Sequence, residues 1–161
     1  LPLYYNHLNT GRPDPDSHSF NRYSSNYLDM SNEPLYPFGY GLSYTNFSYG
    51  NLQLSSDVLS RNGELTVSVT VTNDGDFDGY EIVQMYLHDI YAEISRPVKE
   101  LKGFERIFLK KGESREVKFV ITEDDLRFYN SGLQYVYEPG EFDVMVGANS
   151  RDVQTERFRA D

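Results

Sequence analysis

Asp74-Gly75-Asp76-Phe77-Asp78-Gly79 is the sharpest chemical pattern in the sequence. Alternate carboxylates followed by glycine begin a calcium loop of the EF-hand kind, in which oxygen donors from every second position wrap a hard cation. Such a loop needs a bidentate acid at its twelfth position. That position is Met85, which cannot ligate calcium. The competing reading is a turn between two strands, with Asp and Gly present for their backbone geometry. The strand-like sequence after Gly79 favours the turn. His7, His18 and His88 are far apart and form no H-x-x-x-H or H-E-x-x-H spacing, so no zinc site is expected. There is no G-x-S-x-G and no phosphate-binding glycine loop. Carboxylates are plentiful, and acid–base hydrolysis uses pairs of them. Asp124-Asp125 nevertheless read as charges at a helix start, and Glu141 with Asp143 as charges on an outward strand face. The expected catalytic, cofactor-binding and metal-binding sets are all empty. Asn46-Phe47-Ser48 is a glycosylation sequon, meaningful only in a secreted eukaryotic chain.

Composition narrows the partners. The net charge of −10 argues against nucleic acid and against an anionic membrane surface. No run approaches the roughly 20 apolar residues of a membrane span. Cysteine is absent, which removes disulfides and thiolate metal sites without excluding export. At 161 residues the chain is one ordinary domain, or one domain with a tail. It opens at Leu1 without a signal peptide, as a piece of a longer protein would. Tyrosine is abundant (14 residues), which suits β-structure.

Alternation of side chains predicts the elements. Leu65, Val67, Val69 and Val71 share one face of a strand and Thr66, Ser68, Thr70 and Thr72 the other, the mark of a half-buried antiparallel strand. Tyr80–His88 follows the 73–79 turn, with Val83, Met85 and Leu87 as core candidates. Apolar residues on both its faces predict a central strand. Phe47–Leu54 is an earlier strand interrupted at Gly50. Residues 89–97 are a long loop ending at Pro97, and Leu101–Leu109 is a strand broken by Gly103. Val117, Phe119 and Ile121 point inward in the next strand. Thr122 caps one helical turn over Glu123–Leu126. Shorter pieces over 127–130 and 134–137 precede an inward Phe142, Val144 and Val146, and the last strand covers Val153–Arg159. About seven strands with turn signals between them predict an all-β, immunoglobulin-like or fibronectin type III-like sandwich with an extended N-terminal arm. The Cys–Trp–Cys signature of antibody domains is missing.

Pro34–Thr45 (PLYPFGYGLSYT) is the junction between arm and sandwich. Two prolines fix φ, two glycines free it, and large apolar side chains lie between them. The expectation is a buried aromatic corner that seals one end of the domain. The competing reading is an aromatic platform for a ligand. Eight of the fourteen tyrosines fall within residues 1–49, so the arm packs on something. The aromatic surplus also fits sugar stacking, though Trp, the commoner stacking residue, is absent and core packing competes.

With the junction and strands in place, the sequence resembles the C-terminal end of a family 3 glycoside hydrolase, the β-glucosidase/β-xylosidase group. Tyr4-Tyr5-Asn6-His7 with Thr10-Gly11-Arg12-Pro13 resembles the last strand of that family's α/β sandwich domain. Tyr27-Leu28-Asp29 and Pro34–Thr45 resemble its linker. Val71-Thr72-Asn73, Glu81–Tyr86, Arg96–Phe104, Gly112-Glu113-Ser114, Asp125-Leu126 and Glu138-Pro139-Gly140 resemble its fibronectin type III-like domain. Asn26 departs from the pattern, which commonly has a basic residue there. The resemblance implies three segments: residues 1–13 as the last strand of a preceding α/β sandwich domain, 14–43 as a wrapping linker, and 44–161 as the fibronectin type III-like domain. It implies a retaining, exo-acting parent that is periplasmic or secreted. The parent's aspartate nucleophile and glutamate acid/base lie on segments outside these residues. The implied partners are the preceding barrel and α/β sandwich domains of the same chain, with oligosaccharide substrate reached through the parent. The implied role is a non-catalytic buttress whose contacts are the 89–97 loop and the 14–45 wrap. A carbohydrate-binding module and an extracellular protein-interaction module are the rival readings.

Overall fold

The computed structural model describes residues 4–9, 12, 27 and 31–161. His18, Asn26 and most of the proposed linker lie outside the described residues. The rest is built from strands, and the expected sandwich is what forms. One sheet holds β1 (Phe47–Leu54), β3 (Leu65–Asn73) and β6 (Ser114–Ile121) in the order β1-β3-β6. The other holds β2 (Val58–Leu59), β4 (Gly79–Asp89), β5 (Glu100–Leu109), β9 (Gly140–Gly147) and β10 (Val153–Ala160) in the order β2-β10-β9-β4-β5. Between β6 and β9 come one helical turn, α1 (Glu123–Leu126), and a small hairpin of β7 (Phe128–Tyr129) with β8 (Tyr135–Val136).

The alternation of β3 holds along its whole length. Leu65, Val67, Val69 and Val71 are buried while the threonines and the serine between them are only partly covered. Val83, Met85 and Leu87 of β4 face them from the second sheet, with Ile107, Leu109, Val144, Val146 and Phe158 in the same cluster. Phe142 and Phe158 stack with ring centroids 5.6 Å apart. Burying each such aliphatic side chain contributes about 1.5–3 kcal/mol, which makes this layer the main source of stability. As predicted, β4 is flanked on both sides, by β9 and β5.

Two irregularities keep the pattern in register. In β1 the core side chains change parity, from Phe47 and Tyr49 to Leu52 and Leu54. A one-residue bulge between Gly50 and Gln53, with Asn51 at φ 55°, makes that change possible. A second shift, between Met85 and Tyr86, sets Gly103 opposite Met85, where Phe119 crosses from the other sheet. At α1, the Asp125 carboxylate accepts from the Thr122 amide (2.8 Å) and hydroxyl (3.0 Å), closing the helix start. The parallel strand β2, paired with β10, is an element the sequence did not signal.

Candidate interaction surface

The acidic turn resolves first. Asn73, fully buried at the end of β3, organises it. The Asn73 Oδ1 accepts from the Thr45 hydroxyl at 2.7 Å and from Gly75 N at 3.2 Å, and its amide nitrogen donates to the carbonyls of Phe77 (2.8 Å) and Leu109 (3.1 Å). Asp78 accepts from the Lys111 amide at 2.8 Å and Asp76 from the Lys111 ammonium at 2.7 Å. Met85 is deep in the core. The carboxylates therefore tie one turn to the next. Among the described residues no group of three His, Asp or Glu is arranged to hold a metal ion.

The other candidates sit apart. His7 Nδ1 lies 3.0 Å from the Leu8 carbonyl oxygen. His88 stands on the outer face of β4, opposite Asp143 of β9, with Nδ1 3.9 Å from the carboxylate. Asp143 also takes two hydrogen bonds from Arg157 of β10, at 2.8 and 3.3 Å. Burial pushes the His88 imidazole pKa below its ordinary value; Asp143 opposes this and Lys99 and Arg157 add to it. Asp124 pairs with Arg127, and Glu141 lies 3.7 Å from Arg157. Asp124, Asp125, Glu141 and Asp143 are thus each committed to a neighbouring cation or a helix cap.

The arm is where the structure departs from expectation. Pro34–Thr45 is not a buried corner. Leu35, Tyr36, Phe38, Tyr40, Leu42 and Tyr44 are all exposed, Leu42 at 89% and Tyr44 at 97%. The backbone of the arm is nonetheless fixed against the outer face of the five-stranded sheet. Gln84 donates to the carbonyls of Gly39 (3.2 Å) and Ala148 (2.6 Å) and accepts from the Tyr86 hydroxyl (2.6 Å). The Phe38 carbonyl accepts from Ser150 N at 2.9 Å. Gly39, at φ +78°, has its α-carbon so close to Gln84 that a Cβ would lie 2.0 Å from Oε1. Tyr5 stacks on Phe38 (centroids 4.1 Å) and meets the edge of buried Tyr86 (5.7 Å). The main chain is held at Phe38 and Gly39, while Leu35, Tyr36, Leu42 and Tyr44 stay exposed with no second surface among the described residues to cover them.

The 89–97 loop is held in the same way. Val98 N donates to the His7 carbonyl at 2.9 Å, Leu8 bridges Pro97, and the Ser95 hydroxyl donates to the Asn9 carbonyl at 3.2 Å. On the other flank, Glu93 N donates to Glu138 at 3.1 Å and the Arg96 guanidinium lies 4.5 Å above the Phe128 ring. Arg96 also pairs with Glu100 at 2.8 Å. Tyr91, at 79% exposure, is presented on this framework. Sequence reasoning found the loop and the arm but missed the arm's anchors, Asn73 and Gln84. The available signal was a lone amide side chain at the end or middle of an apolar strand, where an unsatisfied amide would be costly.

Comparison with known proteins fits this geometry. A fibronectin type III-like domain model matches residues 81–150. A periplasmic β-glucosidase of Salmonella typhimurium is 50% identical over 159 residues, 98% of this chain and 20% of the relative. A β-glucosidase of Listeria innocua, solved in complex with laminaribiose, superposes with a TM-score of 0.92 at 46% identity, covering 99% of this chain and 22% of the other. A GH3 β-glucosidase of Bifidobacterium adolescentis superposes with a TM-score of 0.72 at 34% identity, over 82% of this chain and 19% of the other. The chain belongs with the fibronectin type III-like domains of family 3 glycoside hydrolases. It spans about a fifth of the length of these relatives. The matched region runs from β4 to just past β9, so β1 to β3 and β10 complete the sandwich outside the family model. The Salmonella and Listeria matches take in the arm as well, so the exposed aromatic stretch is part of the homologous unit. No helix among the described residues is long and apolar enough to cross a membrane.

Proposed function

We propose that this chain is the accessory β-sandwich of a periplasmic or secreted β-glucosidase, an exo-acting retaining enzyme that removes terminal β-linked sugars. Residues 1–13 are the last strand of a preceding α/β sandwich domain, 14–43 the wrapping linker and 44–161 the fibronectin type III-like domain. These residues carry no catalytic group. They buttress the catalytic domains, and oligosaccharide substrate is bound by those domains.

The observation that carries the reading is the arm. Its backbone is hydrogen-bonded to the sandwich while Leu35, Tyr36, Leu42 and Tyr44 project outward. A monomeric surface rarely shows so much contiguous apolar area without a partner. The wired 89–97 loop adds Tyr91 to the same role. The relatives, about five times longer, support a parent with further domains to receive these side chains.

The test compares the parent enzyme with and without residues 31–161, together with the isolated chain. The isolated chain gives no turnover of an aryl β-glucoside. The shortened parent loses activity at a temperature at least 5 °C lower than the whole enzyme. Turnover by the isolated chain, or an unchanged inactivation temperature, overturns the proposal.

A further inference from the structure

The outer face of β4 and β5 carries a second apolar group, at the end of the sheet away from the 89–97 loop. Tyr80 is opposite Phe108, Ile82 opposite Arg106, and Gln84 opposite Phe104. The Tyr80 and Phe108 rings are 4.9 Å apart. The Arg106 guanidinium lies 3.6 Å above the Tyr80 ring. Phe104 is 68% exposed, and four residues of extended strand set it about 13 Å from Phe108. Of the arm residues, Leu8 bridges Pro97 and Tyr5 stands over Tyr86, six strand positions or about 20 Å from Tyr80. The 34–45 stretch borders this face, with Gly39 on Gln84 opposite Phe104 and with Ser43 and Thr45 beside Gly79, and it leaves the rings of Tyr80, Phe104 and Phe108 exposed.

Its chemistry selects the occupant. The chain has 25 acidic residues, yet none of them is among Tyr80, Ile82, Phe104, Arg106 and Phe108, and Glu105 takes the opposite side of its strand. Among the described residues Arg106 makes no ion pair, and its stack on Tyr80 leaves the N–H edge of the guanidinium free to donate. A second copy of the chain would bring a further net charge of −10 to the contact, an unfavourable approach at low salt. A neutral sugar polymer brings no charge. The flat C–H face of a β-linked glucose unit lies on an aromatic ring, and its hydroxyls accept from a guanidinium. Because β5 is an edge strand, a polymer can run past it.

We propose that this face is a platform for a neutral β-linked glucan, holding polymer close to the enzyme. The choice of glucan rests on the glycosidase reading above; the platform itself rests on the ladder of rings. The test is electrophoresis of the 161-residue chain through gels containing mixed-linkage β-glucan, β-1,3-glucan or, as control, α-linked dextran. A β-glucan retards the chain and dextran does not. Phe104→Ala and Tyr80→Ala each weaken the retardation at least fivefold while the dispersed proton NMR spectrum is kept. Tyr129→Ala, on the separate hairpin, leaves the retardation unchanged. Equal mobility in all gels, or retardation that survives Phe104→Ala, overturns the platform. So does sedimentation as a dimer that Phe104→Ala dissolves, which would assign the face to a second copy. A lowered melting temperature of the parent on Phe104→Ala, with glucan retention unchanged, would assign it to a domain contact. Hydrolysis of an aryl β-glucoside by the parent, measured separately, reports on the glycosidase reading alone.

Discussion

Asn73 shows how much one amide can carry. It is fully buried and both of its polar atoms are used twice, toward Thr45, Gly75, Phe77 and Leu109. Truncation to alanine would strand the Thr45 hydroxyl and the Leu109 carbonyl inside the protein. Asn73→Ala should therefore cost about 2–4 kcal/mol, read from the urea midpoint at an unchanged slope. Glu81 makes the opposite case. Its side chain is drawn inward from β4, and Tyr49 of β1 donates to it at 2.6 Å across the two sheets. Burial raises the Glu81 pKa and the tyrosine bond partly opposes this, with the net shift upward from 4.5. The folded state then holds the proton more tightly than the unfolded chain. Stability from this group is greatest below pH 4.5, falls as pH rises toward the elevated value, and stays low above it. Glu81→Gln keeps an acceptor for the Tyr49 hydroxyl and removes the buried charge. The variant should melt higher than the parent sequence at pH 7, and the gap should close as the pH is lowered below 4.5. A gap that widens in acid would show that the carboxylate is stabilised by burial with Tyr49.

At the level of elements, the arm is clamped by very few groups. Gln84 and Ser150 bind the carbonyls of Gly39 and Phe38, and Gly39 has neither room nor backbone angle for a side chain. Gly39→Ala forces Gln84 out of its place and strains φ. It should speed protease cleavage within residues 34–44 by tenfold or more, while the β3 and β9 amides keep their hydrogen-exchange protection. β3 was legible because it is half-buried and repeats every second residue, a period that survives in any sequence with one wet face, whereas β4 and β9, buried on both faces over Val83–Leu87 and Val144–Val146, were legible as apolar runs between turns. The two-residue strands β2, β7 and β8 contain no full period, so only their partners define them. The parity change in β1 was visible as an interruption at Gly50, but its size of one residue is set by β3, not by local sequence. The candidate surface was half legible. Aromatic density marked the arm as a contact element, yet density does not say which way rings point. Tyr5 and Phe38 stack against each other over Tyr86, whereas Leu42 and Tyr44 lie in solvent.

For the whole molecule, the same substitution should have two different effects depending on what surrounds it. Leu42 and Tyr44 touch almost nothing in the 161-residue chain. Replacing both by serine removes no buried area, so the isolated sandwich should keep its unfolding free energy within about 0.5 kcal/mol. In the proposed parent those side chains meet another domain. Apolar area leaving water contributes about 25 cal/mol per Å², and a leucine and a tyrosine that become buried bring about 2 kcal/mol each. Leu42→Ser with Tyr44→Ser should then weaken the contact by about 3–4 kcal/mol, and the parent's β-glucosidase activity should be lost at a temperature several degrees lower. The KM for an aryl β-glucoside, measured below that temperature, should not change, since Leu42 and Tyr44 brace the catalytic domains and do not touch the small substrate. Parallel melts of the isolated chain and the parent, each with and without the pair of serines, separate the two effects. Equal losses in both would mean the arm stabilises only its own sandwich. No loss in either would leave the exposed leucine and tyrosine without a partner in the enzyme, and the buttress reading would fail.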